Sequence, residues 1–275
     1  MNQFNEVHIY FTGSSFNFNA KNCWCDRGKS MIYLIEKAFK ILKNKNIVKK
    51  MKPFKKMFYV GDWENGDYST CSATLKGATI PCPMFYHWKE CKIKDYDTEC
   101  LKISKKSKIP YTHNKIFWIG QPSNKIREKF VKDYSNNPRV SAIFLWNHWG
   151  HSPNIIKEYI SLPDHCKYRY LIDLEGVGYS ARIKFLMNTR RPLFIQKRRF
   201  NEYWFYLLKE YKHYIPVAND LSDLDKQLKW ADNNVSKCLE IAKNAADFAA
   251  KNLRKKDAIK RLSDILYKLG TGELK

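Results

Sequence analysis

Hydrophobic positions along the chain follow two periods, one typical of strands and one typical of helices, and the two alternate. Short apolar runs of strand length lie at 7–11, 57–60, 115–119, 140–146, 169–174, 193–196 and 214–217. Apolar residues at helical spacing predict helices over 31–42, 123–134, 201–211, 222–231 and 235–269. Strands that alternate with helices indicate βαβ crossovers, and therefore an α/β fold built on doubly wound parallel sheets.

A lysine-rich stretch with few apolar residues, 104–114, predicts a linker between two such sheets. Two domains fit the length of 275 residues better than one large domain does. We therefore predict an N-terminal α/β domain over 1–112, a second α/β domain over 113–250 and a C-terminal helix over 251–275.

The chain is strongly basic, with 50 Lys and Arg against 27 Asp and Glu and a formal charge of +23. Its 44% hydrophobic residues are enough for a packed core, which excludes a disordered protein. Such a charge attracts nucleic acids, yet the lysines are scattered and no zinc-finger or RNP-type motif is present. Two interpretations stay open: a nucleic-acid-binding α/β protein without catalysis, and a basic surface that is merely solvated.

The sequence contains no apolar run long enough to span a bilayer, and residues 1–6 lack the basic and apolar regions of a secretory signal. We therefore expect a cytoplasmic protein whose eight cysteines are reduced thiols. The cysteines include no C-x-x-C pair, and His148 and His151 have no obvious third ligand nearby, so we expect no metal site.

The segment with the clearest chemical content is 170–182, where a strand ends at Gly176 and Gly178 and a helix is predicted from Ser180. Backbone N–H groups at a helix start, with the Arg182 guanidinium beside them, suit a phosphate or a diphosphate. A plain strand-to-helix turn explains the same glycines equally well, so both interpretations stay open here.

A second predicted strand ends at Gly120 and Gln121, and Arg127 follows early in the next helix. The carboxyl ends of parallel strands meet at one edge of a sheet, which is where open α/β sheets bind their ligands. We therefore expect the two turns and their arginines to converge on one crevice.

Several separate blocks, in order, resemble glycosyltransferase family 90, which includes capsule-associated and lipopolysaccharide-modifying enzymes and Rumi-like protein O-glucosyltransferases. The blocks lie at 162–171, 176–184, 202–209, 213–217, 220–224 and 231–248, with a looser resemblance that extends upstream to Met57. Several dispersed blocks in the same order are more specific than any single motif.

The resemblance implies a GT-B-like fold, in which two Rossmann-like domains face a central cleft and C-terminal helices brace them. It implies an inverting, metal-independent transfer of xylose or glucose from a UDP-sugar to a hydroxyl of a glycan or glycoprotein, without a further cofactor. The segment 58–63 resembles the family's strand that supplies the catalytic base, which makes Asp62 the predicted base. The predicted donor-binding residues are Gly120, Gln121, Arg127, Val177, Gly178, Tyr179, Ser180, Ala181 and Arg182.

These assignments are chemically coherent. A carboxylate can accept the proton of an attacking hydroxyl, and cations such as Arg127 and Arg182 can stabilise a leaving nucleoside diphosphate. This chain has Gln121 and Pro122 where the family usually has Ser and Arg, and it has Gly61 where the family often has Arg. A relative that binds sugar nucleotides without turnover is a further alternative, and no specific nucleic acid is expected as a partner.

Overall fold

A computed structural model describes residues 5–62, 67–72, 74, 79–145, 155–156 and 160–274. The strands of this part are β1 Glu6–Phe11, β2 Phe16–Lys21, β3 Phe54–Tyr59, β4 His113–Gly120, β5 Val140–Leu145, β6 Ile155–Ile156, β7 Tyr168–Asp173, β8 Leu193–Gln196 and β9 Ile215–Val217. Its α-helices are α1 Arg27–Asn44, α2 Tyr96–Lys106, α3 Lys125–Tyr134, α4 Ile183–Leu186, α5 Leu224–Asn233, α6 Val235–Asn252 and α7 Lys255–Thr271.

The chain forms two compact units. Unit 1 comprises residues 1–98, 200–206 and 252–275, and unit 2 comprises residues 99–199 and 207–251. The C-terminal helix α7 therefore belongs to unit 1, together with the N-terminal part of the chain. The domain boundaries that the sequence places at 112 and 250 stay predictions.

The sheet of unit 2 has the strand order β6-β5-β4-β7-β8-β9, and every neighbouring pair in it is parallel. All four residues of β8 and the last four of β7 are buried, as expected for strands covered on both faces. Phe130 of α3 and Leu228 of α5 join Trp118 and Phe194 of the sheet in one hydrophobic core. The predicted α/β class is confirmed.

The sheet of unit 1 is antiparallel, which differs from the expectation of a second Rossmann-like sheet. Its strand order is β2-β1-β3. A tight turn joins β1 to β2: the Thr12 N–H donates to the Ser15 carbonyl at 3.0 Å, and Gly13 adopts φ +102°. A connection this short can only reverse the chain, because a parallel crossover needs about a dozen residues or more.

Helix α1 packs its apolar side, with Met31, Leu34 and Ala38 fully buried, against unit 1's sheet and against α7. The contact between α7 and the turn before β3 is close, because Gly270 lies directly on Met51. A Cβ atom on Gly270 would lie 2.7 Å from the Met51 Cβ, so only glycine fits there without displacement.

The expected linker at 104–114 differs from the structure, because it begins inside α2. Its next residues are held within unit 2 by the Arg191 guanidinium, which donates to the carbonyls of Ser107 and Ile109 at 3.3 and 2.6 Å. The lysine-rich composition of this segment therefore indicates an exposed surface and not a flexible linker.

Two helix predictions also differ. The segment 201–211 forms only a 3-10 turn, Phe205–Leu207. Its buried residues are Glu202, Trp204 and Leu208, so the helical spacing of Trp204 and Leu208 is not enough to form a helix here. The region 235–269 contains two helices, and α7 begins anew because the Arg254 N–H donates to the Asp257 carboxylate at 3.0 Å.

Candidate active site

The strand order of unit 2 changes direction between β4 and β7. From β4 the chain continues outward to β5 and β6, and it then returns to β7 on the other side of β4. At such a switch the loops after the two central strands diverge and leave a crevice at the carboxyl edge of the sheet. Gly120 ends β4 and Asp173 ends β7, so both predicted turns meet here. We call residues 120–127 and 173–182 the carboxyl-edge site.

Arg127 joins the two loops of this site. Its Nε–H donates to the Glu175 carbonyl at 2.7 Å, and one Nη donates to the Leu174 carbonyl at 3.2 Å. The other Nη donates to the Gln121 carbonyl at 3.2 Å and to the Ser123 hydroxyl at 3.0 Å. Most N–H groups of the guanidinium are therefore engaged by the protein itself. Arg127 therefore holds the two loops together, and fewer of its N–H groups are available to a ligand than the sequence suggests.

The Trp118 indole supports both predicted arginines. The guanidinium carbons of Arg127 and Arg182 lie over its ring, 5.5 and 5.9 Å from the centroid. Guanidinium groups over an indole gain cation–π attraction. Gly120 leaves room for this ring, because a Cβ atom there would lie 2.6 Å from the Trp118 Cζ2. Gly120, the last residue of β4, therefore allows the Trp118 ring to pack there, independently of any contact with a ligand.

A buried ion pair fixes the end of β7. Asp173 is fully buried, and its carboxylate accepts a bond from Arg198 at 2.6 Å and one from the Ser180 hydroxyl at 2.9 Å. Arg198 also donates to the Asp173 carbonyl at 2.8 Å. The Arg182 Nε lies 3.8 Å from the same carboxylate, and its Nη donates to the Ile119 carbonyl. These contacts hold the 174–182 loop against both central strands.

The predicted donor-binding loop lies between these anchors. Val177 is half-buried, whereas Gly178, Tyr179, Ser180 and Ala181 are buried. The helix expected from Ser180 begins only at Ile183 and has four residues. The reason is local: the Ser180 hydroxyl is bonded to Asp173, so it does not cap a helix. A long helix aimed at a phosphate is therefore not present at this loop.

His165 lies in the core beneath the site as a neutral imidazole. Its Nδ1 is 2.9 Å from the Ser161 carbonyl, and its ring packs edge-on against Phe117 with centroids 4.9 Å apart. Burial lowers the pKa of His165 to about 4, and the charge of Arg182 lowers it further. His165 is therefore uncharged near neutral pH.

A basic cavity of about 850 Å³ opens at the same edge of the sheet. Its lining includes five basic and two acidic side chains: Asn124, Lys125, Ile126, Lys129, Glu175, Lys197, Arg198, Arg199, Asn219 and Asp220. The excess of positive charge suits an anionic ligand, and the volume is typical of small-molecule sites. The sequence signal for these cations is the run 197–199, which directly follows the buried strand β8. The site residues that the sequence predicts do not include this run.

The side chain of Gln121 carries an acceptor with no protein partner. Its Oε1 atom is buried and has no hydrogen-bond partner among the described residues. Buried polar atoms of folded proteins are nearly always bonded. This oxygen is therefore suited to accept a hydrogen bond from a ligand in the carboxyl-edge site.

Asp62 lies in unit 1, three residues after β3 ends at Tyr59. Its carboxylate is paired with Arg27, whose two Nη atoms lie 2.9 and 3.5 Å from the two carboxylate oxygens. The same guanidinium reaches Glu90 at 3.4 Å. Arg27 therefore fixes the orientation of the Asp62 carboxylate, a role that the sequence did not indicate. A Cβ atom on Gly61 would meet the far end of the Tyr59 ring, so the arginine that the family often has here would require this ring to move.

The predicted histidine pair, His148 and His151, lies outside the described residues. Within the described part, no three His, Cys, Asp or Glu side chains come close enough together to hold a metal ion. The helices of that part include none that is both long and apolar enough to cross a membrane.

One family model covers most of the chain. The model for glycosyl transferase family 90 matches residues 68–269, which is more than half of the sequence. This chain belongs to glycosyl transferase family 90. The match includes the whole carboxyl-edge site, and Asp62 lies just upstream of it.

Curated relatives of this family 90 chain cover parts of it. Protein O-glucosyltransferase 1 of Rattus norvegicus is 37% identical over 98 residues, which are 36% of this chain and 25% of the relative. Protein O-glucosyltransferase 2 of Danio rerio is 29% identical over 145 residues, 51% of this chain and 29% of the relative. The O-glucosyltransferase rumi of Drosophila melanogaster is 28% identical over 159 residues, 54% of this chain and 39% of the relative. The matched regions thus span well under half of these relatives.

The solved structures that match this chain are more distant. HepE of Anabaena, in complex with UDP and glucose, has a TM-score of 0.44 at 13% identity over 60% of this chain and 52% of that chain. TarM has a TM-score of 0.43 at 13% identity over 58% of this chain and 36% of that chain. Scores this low do not establish a shared fold, so the GT-B-like arrangement of two facing domains stays a prediction.

Proposed function

We propose that this family 90 chain transfers glucose or xylose from a UDP-sugar to a hydroxyl of a glycan or glycoprotein. The observation that carries the proposal is the basic cavity at the switch point of the parallel sheet, within the region that matches the family. The curated relatives are named as protein O-glucosyltransferases, which favours glucose as the first donor to test.

The donor would bind with its diphosphate among the exposed cations of the cavity. Lys125 comes from the start of α3, and Lys197 and Arg199 follow β8, so they approach the cavity from separate elements. A diphosphate carries concentrated negative charge, which such cations attract and neutralise.

Two kinds of charged group would take part in the proposed reaction. The Asp62 carboxylate would accept the proton of the acceptor hydroxyl while the hydroxyl oxygen bonds to the anomeric carbon of the sugar. The bond between that carbon and the diphosphate oxygen breaks, and UDP leaves with the electron pair. Attack from the face opposite the leaving group inverts the anomeric configuration. Arg27 would hold the base in orientation, and Lys125, Lys197 and Arg199 of the cavity would stabilise the leaving charge.

The test is the release of UDP from UDP-glucose and UDP-xylose, measured with water or simple glycosides as acceptors. Wild-type protein should release UDP from at least one donor, at a rate that EDTA leaves unchanged. Asp62→Asn should lower that rate by about a hundredfold or more, as general-base loss does, without weakening UDP binding. Glu90→Gln is the matched control, since Glu90 contacts the same Arg27; its rate should stay near that of wild type.

Failure of both donors to stabilise the protein or to release UDP would overturn the proposed function. Undiminished turnover by Asp62→Asn would remove only the base assignment. A tenfold or larger fall in the rate with EDTA would refute metal independence alone.

A further inference from the structure

One segment of unit 1 has an extreme charge pattern that the proposed transfer reaction does not use. Residues 37–56 include nine lysines and no Asp, Glu or Arg. The segment runs from the second half of α1, through the turn Val48–Lys50, into β3. Its exposed lysines, which we call the lysine face, are Lys37, Lys40, Lys43, Lys45, Lys49, Lys50, Lys52 and Lys55.

The lysine face is mounted on folded structure. Several apolar residues between the lysines are buried, and Leu42 and Met51 are 2% and 5% exposed. The Lys52 N–H donates to the Gly270 carbonyl of α7 at 2.8 Å, which anchors the turn before β3. The positive charges are therefore held on a fixed surface, unlike those of a disordered basic tail.

The lysine face has no directly paired carboxylate among the described residues. None of the eight lysines forms an ion pair with a described carboxylate, although Lys37, Lys43 and Lys55 lie over aromatic rings. Exposed lysines elsewhere behave differently, since Lys102 pairs with Glu99 at 3.1 Å and Lys243 pairs with Asp247 at 2.7 Å. Like charges one helical turn apart repel each other. An external anionic surface would relieve that repulsion.

We propose that the lysine face docks the protein onto an anionic lipid surface. All of its charges are lysines, whose compact and strongly hydrated ammonium groups suit a diffuse layer of headgroups. Nucleic-acid surfaces typically add arginine forks or exposed aromatic side chains that stack on bases. This segment has no arginine, and its aromatic residues Phe39 and Phe54 are buried and half-buried.

The test is co-sedimentation with vesicles of phosphatidylcholine alone or with about 30% phosphatidylserine, at low and high salt. Wild-type protein should bind only the anionic vesicles, and about 0.5 M NaCl should release it. The variant K40Q/K43Q/K49Q/K50Q should lose up to about a thousandfold in partition coefficient, since each lysine near such a surface contributes about fivefold. The variant K40R/K43R/K49R/K50R keeps the charge and should keep most of the binding.

The matched control is K102Q/K167Q/K237Q/K243Q, which removes the same charge from exposed lysines that have carboxylate partners. It should bind anionic vesicles within about threefold of wild type. Equal losses in both glutamine variants would overturn the proposal, because binding would then follow net charge alone. Binding to poly(U) that exceeds vesicle binding and is lost with the same four face lysines would also overturn it, in favour of RNA. UDP release does not enter this test, so its outcome is independent of the proposed function.

Discussion

Replacing Arg198 by methionine tests whether the buried ion pair holds the carboxyl-edge site together. Arg198 and Asp173 side chains are 1% and 0% exposed. Arg198 makes two bonds to Asp173, at 2.6 and 2.8 Å, and one to the Gln196 carbonyl at 3.1 Å. The substitution removes all three bonds and leaves a carboxylate buried beside only Ser180 and the more distant Arg182.

Breaking one side of a buried ion pair typically costs about 3–5 kcal/mol. Arg182 lies 3.8 Å from the Asp173 carboxylate and retains part of the attraction, so we expect the lower end, about 3 kcal/mol. For a chain of this size that corresponds to a fall in Tm of roughly 6–12 °C. The double variant Asp173→Asn/Arg198→Met removes both charges, and the double-mutant cycle should give a coupling of about 2 kcal/mol or more.

The assay is urea unfolding followed by tryptophan fluorescence, with thermal unfolding alongside. Lys197→Met is the matched control, because Lys197 is the adjacent residue and its side chain is exposed. It should change the free energy of unfolding by no more than about 0.5 kcal/mol. If Arg198→Met costs no more than Lys197→Met, the ion pair does not stabilise this edge of the sheet and the reasoning is refuted.

Three further substitutions test other parts of the structure. Arg127→Gln should lower UDP affinity at least about tenfold and destabilise the protein by about 2–4 kcal/mol, since it leaves carbonyls of two loops unbonded. Calorimetry checks this against Glu128→Gln, a substitution at an exposed neighbour, and equal UDP affinities in the two variants would contradict it. Burial holds the pKa of His165 at about 4, below the usual 6.5, so the unfolded chain binds the proton first as the pH falls. The stability contributed by the neutral imidazole is therefore complete above pH 6.5 and decreases by up to about 3 kcal/mol towards pH 4. Between pH 7 and pH 4.5 the free energy of unfolding should fall less in His165→Gln than in wild type, and identical pH profiles would refute the lowered pKa of His165. Gly270→Ala should lower the free energy of unfolding by about 1–3 kcal/mol, because the new methyl group meets Met51. Urea unfolding measures this beside Lys268→Ala, a control at an exposed position, and equal losses in the two variants would show that Met51 moves aside without cost.

Much of unit 2 could be predicted from the chain. Its strands are buried on both faces, so they stand out as apolar runs bounded by glycine and polar residues, as at 115–119 and 169–174. The rule that parallel strands end at one edge then places Gly120 and the 174–182 loop together, and the bonds of Arg127 and Arg182 confirm that they meet.

The remaining features depend on contacts that no local pattern encodes. Strand β2 carries Asn17, Asn19 and Lys21 on its exposed face, so its apolar signal is too weak to predict the hairpin. Arg198 meets Asp173 only because β8 lies beside β7, and the two residues are 25 positions apart. The pairing of Asp62 with Arg27 likewise spans 35 positions. Contacts between residues this far apart in sequence become visible only in the tertiary fold.

The most direct test of the account is a calorimetric comparison of UDP with uridine on the intact protein. If the basic cavity holds the diphosphate of a donor, UDP should bind at least about a hundredfold more tightly than uridine, and the preference should weaken with salt. The variant Lys197→Gln/Arg199→Gln should lose most of that preference while its affinity for uridine stays unchanged. Equal affinities for UDP and uridine, or no binding of UDP, would contradict the assignment of this cavity to a nucleotide-sugar donor.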